Sequence, residues 1–266
     1  MDPAQIFALA LGAVVGLMMA LTGAGGGTLA VPMLMFAFRL PVACAAPVSL
    51  LAVTVAAGVG AGLGLRDRIV RYRAAGLMAG CGLLAAPVGI WASRQIPNEP
   101  LSIVFGVVLG YASLRMMRAP GLARARRPDC VFDPVVGRLR WTPTCARALG
   151  GAGLAAGLMA GLLGVGGGLV LVPALCRVTD LNMRSVTATS LAAIALICSG
   201  SIGVAASVGL VQWQLAVPFT AGAVGGVLGG RRLAAATGDL GLRRVFGVVG
   251  AAVAVALIGR ALRAMA

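Results

Sequence analysis

Long stretches of this chain carry no charge. Residues Pro3–Phe38, Leu40–Leu65, Ala74–Ser93, Pro100–Leu114, Ala148–Cys176 and Ser185–Gly230 contain no Asp, Glu, Lys or Arg. A helix that crosses a bilayer needs about 20 mostly apolar residues, so runs of this number and length predict an all-α polytopic membrane protein. Hydrophobic residues make up 60% of the 266 and charged residues 11%, whereas soluble domains hold roughly 45–50% and 25%. The N-terminal segment, MDPAQIFALALG, carries an acid where a secretory leader carries bases. It is expected to be the first membrane segment, not a cleaved signal.

Two of the uncharged runs are interrupted in the same way. Residues 21–32 read LTGAGGGTLAVP and residues 162–173 read LLGVGGGLVLVP. A shift of 141 positions superimposes them, and ten of seventeen residues agree between 16–32 and 157–173. The register continues without a gap through Ser49/Ser190, Leu50/Leu191 and Gly62/Gly203 to Phe105-Gly106/Phe246-Gly247. A constant offset over so long a span implies two homologous halves. The expected organisation is an N-terminal repeat over 1–118, an Arg-rich linker over 119–145 and a C-terminal repeat over 146–266.

The arginines decide between two topologies. All 22 basic residues are Arg, and cytoplasmic loops carry the excess of basic residues. If each Gly-rich segment crosses straight through, one side holds fourteen arginines and the other eight. If each is instead the tip of a hairpin that leaves by the side it entered, the division becomes eighteen to four, with Arg39, Arg94, Arg260 and Arg263 in the minority. The second arrangement obeys the rule better. Length agrees, because Ile6–Phe38 as one helix would extend ~50 Å against a hydrocarbon core of ~30 Å. Each half is therefore expected to comprise a broken, re-entrant helical hairpin tipped by glycine and three spanning helices. The halves would be inverted repeats, with the linker cytoplasmic. Broken helices at the interface of inverted repeats mark the substrate site in many transporters.

A glycine tip inside the bilayer has chemical uses. Glycine takes positive φ without steric cost and lets backbone approach a ligand closely. The helix that starts there presents N–H groups without intrahelical partners at the positive end of its dipole. Those features suit an anion. Candidate substrate-binding residues are Thr22, Gly23, Gly25, Gly26, Gly27 and Thr28 in the first half, with Gly164, Gly166, Gly167 and Gly168 in the second. Ser49, Thr189 and Ser190 in the following spans add hydroxyls, and Pro32 and Pro173 mark the helix breaks. Two plainer roles compete. Small residues let membrane helices pack closely, and this is the expected role of Gly58, Gly60, Gly62, Gly80, Gly225 and Gly226. Hydroxyls in apolar helices also bond to their own backbone carbonyls.

Other chemistries lack their residues. The chain has no His, and its seven acids lie in loops or at termini, so no hydrolytic constellation and no intramembrane carboxylate relay can be assembled. No Lys follows the glycine runs, which excludes a Walker A loop. No metal or cofactor is expected, and the chain is not expected to be an enzyme. With few aromatics beside the arginines, the net charge of +15 reflects loop topology rather than a nucleic-acid surface. The six cysteines form no C-x-x-C pair and mostly sit in apolar stretches, so they are expected to act as small hydrophobic filler.

The motif G-x-G-G-G-x-x-x-x-P at the start of each half, followed by a hydroxyl-bearing Ser-Leu in the next span, resembles the sulfite exporter TauE/SafE family. The resemblance covers nearly the whole chain. On the family's pattern it marks Gly23, Gly25, Gly26, Gly27, Pro32 and Ser49, then Gly164, Gly166, Gly167, Gly168, Pro173 and Ser190. Pro47-Val48 in the first half stand where the second has Ala188-Thr189, so the two hydroxyl clusters are not symmetric. The resemblance implies a multi-pass transporter of the bacterial inner membrane whose substrate is a small anion, most simply sulfite or an organosulfonate. Its partners would be that anion and the lipid bilayer, with no nucleic acid. The alternatives are a transporter of another small organic anion, or a non-transporting scaffold that uses the linker as its partner surface.

Overall fold

The computed structural model describes residues 3–22, 26–118, 130, 132–133, 138–139, 142–207, 212–234, 248 and 250–259. Ten helices account for nearly all of them. The first half contains α1 (Pro3–Thr22), α2 (Gly26–Phe38), α3 (Val42–Arg66), α4 (Tyr72–Gln95) and α5 (Asn98–Arg118). The second contains α6 (Pro143–Leu163), α7 (Gly168–Val178), α8 (Met183–Ser207), α9 (Trp213–Ala234) and α10 (Gly250–Gly259). Between them, β1 (Phe132–Asp133) pairs antiparallel with β2 (Arg138–Leu139). Most of the expected linker, like Gly23 and Gly25, lies outside the described residues.

Among the described residues, five helices are long and apolar enough to cross a membrane: those covering Pro3–Ala20, Cys44–Arg66, Tyr72–Gln95, Pro143–Leu163 and Met183–Ala206. Their outer faces keep large apolar side chains exposed, among them Phe7, Leu84, Trp91 and Leu196. In water such a surface would be a liability; in lipid it is the expected finish. The protein is an all-α polytopic membrane protein.

Local chemistry sets the helix ends. Thr142 caps α6, accepting from the Cys145 amide at 3.1 Å, and Pro143 follows at the first helical position, where a missing N–H costs nothing. Gly164 closes α6 in a left-handed conformation (φ 69°). Glycine is favoured at such a helix end because it has no Cβ to clash. Arg39-Leu40-Pro41 turn the chain from α2 into α3, with Arg39 at φ 53°.

Each short helix folds back along the longer one before it. Phe7 near the start of α1 and Phe38 at the end of α2 meet edge to face, with ring centroids 6.0 Å apart. In the second half, Cys130 joins the start of α6 to the end of α7 through a disulfide to Cys145 and a backbone bond to Val178. α2 and α7 have 13 and 11 residues. At ~1.5 Å per residue they reach ~20 and ~17 Å, short of the ~30 Å hydrocarbon core.

The halves exchange helices. α1 packs on α9 and α6 packs on α4, so the first arm of each hairpin lies against the other repeat. Glycines make this possible. Gly222 abuts Leu9 and Ala13, Gly226 abuts Ala13 and Leu17, and Gly230 abuts Leu17 and Ala20, so α1 and α9 run in the same direction. The other seam repeats the pattern, with Gly153 at Met78, Gly157 at Gly82 and Gly161 at Ala86, so α6 and α4 also run together. Adding a methyl at any of these glycines would drive it into the facing backbone or side chain. At the centre α3 crosses α8 in the opposite sense, with Gly60 at Leu191 and Gly64 at Ala188.

Two expectations need correction. Gly60 and Gly226 pack against neighbours, but among the described residues Gly58, Gly62, Gly80 and Gly225 have nothing within 4 Å of where a Cβ would stand. No described helix approaches them, so packing among the described helices does not explain them. The cysteines also divide. Cys44, Cys81, Cys176 and Cys198 form no disulfide and sit in helices as small apolar residues, but Cys130 and Cys145 are bonded across a sequence separation of 15.

Candidate functional site

The second glycine tip is built from three consecutive demands on the backbone. Gly164, Gly166 and Gly167 have φ of 69°, 74° and 72°, in the left-handed region where an L side chain costs roughly 1–2 kcal/mol. The chain leaves α6 at Gly164, turns through Val165 and Gly166, and enters α7 after Gly167, which caps it. Neighbours also exclude side chains at the tip. Gly164 lies against Ala46 of α3, Gly166 against Val53, Ile194 and Cys198, and Gly167 against Ala156 of α6. Only glycine meets both requirements.

At the start of α7, the amides of Val170 and Leu171 bond to the Gly167 carbonyl at 3.1 and 3.2 Å. Among the described residues the amides of Gly168 and Leu169 make no close hydrogen bond to a backbone carbonyl. Both amides lie in the first turn of α7, at the positive end of its dipole.

The first tip approaches the second. Gly26 opens α2, and a Cβ at Gly27 would stand 3.2 Å from the Val165 carbonyl oxygen and 3.0 Å from Val53. Thr28 and Leu29 behind it are buried, as is Pro32. The side chain of Thr22 lies outside the described residues. Pro32 and Pro173 each fall within the second turn of the short helix, at equivalent places in α2 and α7. Each withholds an N–H from the carbonyl four residues earlier.

The three span hydroxyls behave differently. Ser49 of α3, fully buried, donates to the Gly164 carbonyl at 3.1 Å and so braces the tip of the opposite half. Ser190, its counterpart in α8, donates to the Thr187 carbonyl of its own helix at 2.9 Å. The Thr189 hydroxyl accepts from the Arg71 backbone amide at 3.0 Å, tying α8 to the turn before α4. The structure thus brings Gly27, Gly164, Gly166, Gly167, Gly168 and Ser49 into one region around Val53, while Thr189 serves a loop. Val53, Ile194 and Cys198 line that region too, and apolar residues in an apolar run give no sequence signal of such a place.

No acid or base is among these residues, and no cluster of metal-ligating side chains occurs among the described residues. What the site offers an anion is backbone N–H and a low dielectric, in which such groups act strongly.

Residues 8–257 match the family described as "Sulfite exporter TauE/SafE". Two proteins of Xylella fastidiosa, from strains Temecula1 / ATCC 700964 and 9a5c, are each 30% identical over 265 residues, covering 96% of this chain and 95% of their own length. Both are named "Probable membrane transporter protein". No solved structure gives a significant match. With the match running from the first arm of the first hairpin into the last described helix, the chain belongs to the sulfite exporter TauE/SafE family of membrane transport proteins.

Proposed function

We propose that the protein exports small oxyanions, sulfite or organosulfonates, across the bacterial inner membrane, holding them where the two glycine tips meet. The observation that carries this reading is the second tip: three left-handed glycines ahead of a helix whose first two amides make no close backbone hydrogen bond among the described residues. In this reading Gly25–Gly27 and Gly166–Gly168 supply the N–H donors, with Thr22 and Thr28 beside the first tip. Ser49, with its only proton committed to Gly164, positions the backbone; Ser190 and Thr189 stand in the equivalent region of the other half.

The halves are read as inverted repeats with re-entrant hairpins. Helix directions support this. α9 runs with α1, α8 ends at Ser207 and α9 begins at Trp213, too few residues between them to recross the bilayer, and α3 opposes α8. α3 therefore runs with α1, which requires α2 to return between them. α4 then runs against α1, and α6, the repeat of α1, runs with α4. Rocking of one half against the other would expose the tips alternately. The arginine division puts the linker 119–145 in the cytoplasm. An interior-negative potential drives each anionic charge outward by ~2.3 kcal/mol per 100 mV, so export needs no coupling ion.

The test is flux in proteoliposomes over a panel of labelled sulfite, sulfoacetate, thiosulfate and a simple carboxylate. Saturable flux of a sulfur oxyanion, stimulated by a potential of the outward-driving sign, is expected. A protein that moves none of the panel refutes the reading.

A further inference from the structure

The two hairpins are closed at their outer ends by different means. In the first, the closure is the contact of Phe7 with Phe38. In the second, a linker residue does the work. Cys130 is disulfide-bonded to Cys145 in the first turn of α6, its amide donates to the Val178 carbonyl at 2.9 Å, and it forms a parallel bridge with Thr179, just beyond α7. Cys130, Cys145 and Thr179 are all buried, and the Thr179 hydroxyl donates to the Leu175 carbonyl at 2.7 Å, anchoring that end of α7. The shift of 141 that relates the halves puts Ala4 where Cys145 stands, so the first hairpin has no counterpart to this bond.

We propose that Cys130 is a covalent clasp on the second hairpin. It holds the start of α6 and the end of α7 together, so the second hairpin is the fixed partner and the first is the one that shifts. The identity of the moving hairpin rests on the transport reading; the clasp itself does not. A cross-link stabilises chiefly by restricting what the opened chain can do, and here the opened state is the parting of α6 from α7. With the linker read as cytoplasmic, this bond faces a reducing thiol pool, and its burial is what preserves it there: a thiol reductant reaches the two sulfurs only after Cys130 comes away from the two helices. Exchange with dithiothreitol then converts the S–S bond to two thiols while the reagent closes to its own cyclic disulfide.

The test uses the purified full-length protein in detergent. Alkylation without reductant, followed by peptide mass mapping, should recover Cys130 and Cys145 as one linked pair while the other four cysteines can be labelled on unfolding. Hydrogen exchange should be slower at residues 176–182 than at 36–42. Reduction, or the double variant Cys130→Ser/Cys145→Ser, should speed exchange at 176–182 on the order of tenfold and leave 36–42 unchanged. If the double variant does not fold, reduction of the folded wild type gives the same readout. Alkylation of both cysteines without reductant, or equal exchange at the two hairpin ends before and after reduction, would overturn the proposal. Flux is not part of this experiment, so absence of transport with an intact clasp would count against the transport reading alone.

Discussion

Ser49 and Ser190 occupy the same place in the two repeats, yet only Ser49 reaches across to the other half. A hydroxyl has one proton to donate. The Ser49 proton is committed to the Gly164 carbonyl, and the Ser190 proton to its own helix. Ser49→Ala should therefore leave a buried carbonyl at the tip without its partner and cost about 1 kcal/mol, the usual size of a hydrogen bond between membrane helices. Ser190→Ala removes only a bond within one turn of helix and should cost less. Thermal unfolding of the two variants in detergent checks this, and equal midpoints would remove the positioning role assigned to Ser49. The glycines of the tip were legible in the sequence because four of them interrupt an apolar run twice. The different work of the two serines was not. It depends on which carbonyl lies opposite each hydroxyl, and the repeat alignment treats the two positions as the same.

At the scale of elements, the broken helices were legible and their partners were not. Gly-rich interruptions predicted the ends of α1 and α6, which fall at Thr22 and Leu163. Nothing in the residue pattern says that α1 packs on α9 or α6 on α4, because small residues spaced four apart occur on many helices of this chain, and several of them, such as Gly58 and Gly80, face no neighbour. The Cys130–Cys145 pairing was equally hidden, since cysteine spacing does not determine connectivity. The short return helices give a topological prediction. Single cysteines placed at Arg39 and Arg177, in a background lacking the accessible native thiols, should be labelled from opposite sides of the membrane. Labelling from the same side would mean that α2 and α7 continue outward instead of returning.

For the whole molecule, the exchange of first arms makes each half incomplete without the other. The α1–α9 and α4–α6 seams cross between repeats, and Ser49 of one half braces the tip of the other. In the transport reading proposed above, these contacts would couple a shift of the first hairpin to the second tip, exposing a central anion to one side and then the other. The charge pattern fits the same design: among the described residues the helical arginines lie near helix ends, and the centre around Val53 contains apolar side chains, the Ser49 hydroxyl and backbone. A transported anion would meet no fixed counter-charge there to trap it. The account turns on the glycine backbone as the binding element. Its most direct measurement is potential-driven uptake of labelled sulfite by proteoliposomes containing the wild type, Gly26→Val or Gly167→Val. At Gly167 a side chain meets both φ 72° and the Ala156 backbone. Both variants, inserted and folded as judged by gel filtration, are predicted to lose at least about tenfold in flux, equivalent to ~1.4 kcal/mol or more. Flux unchanged from wild type in both would contradict the account.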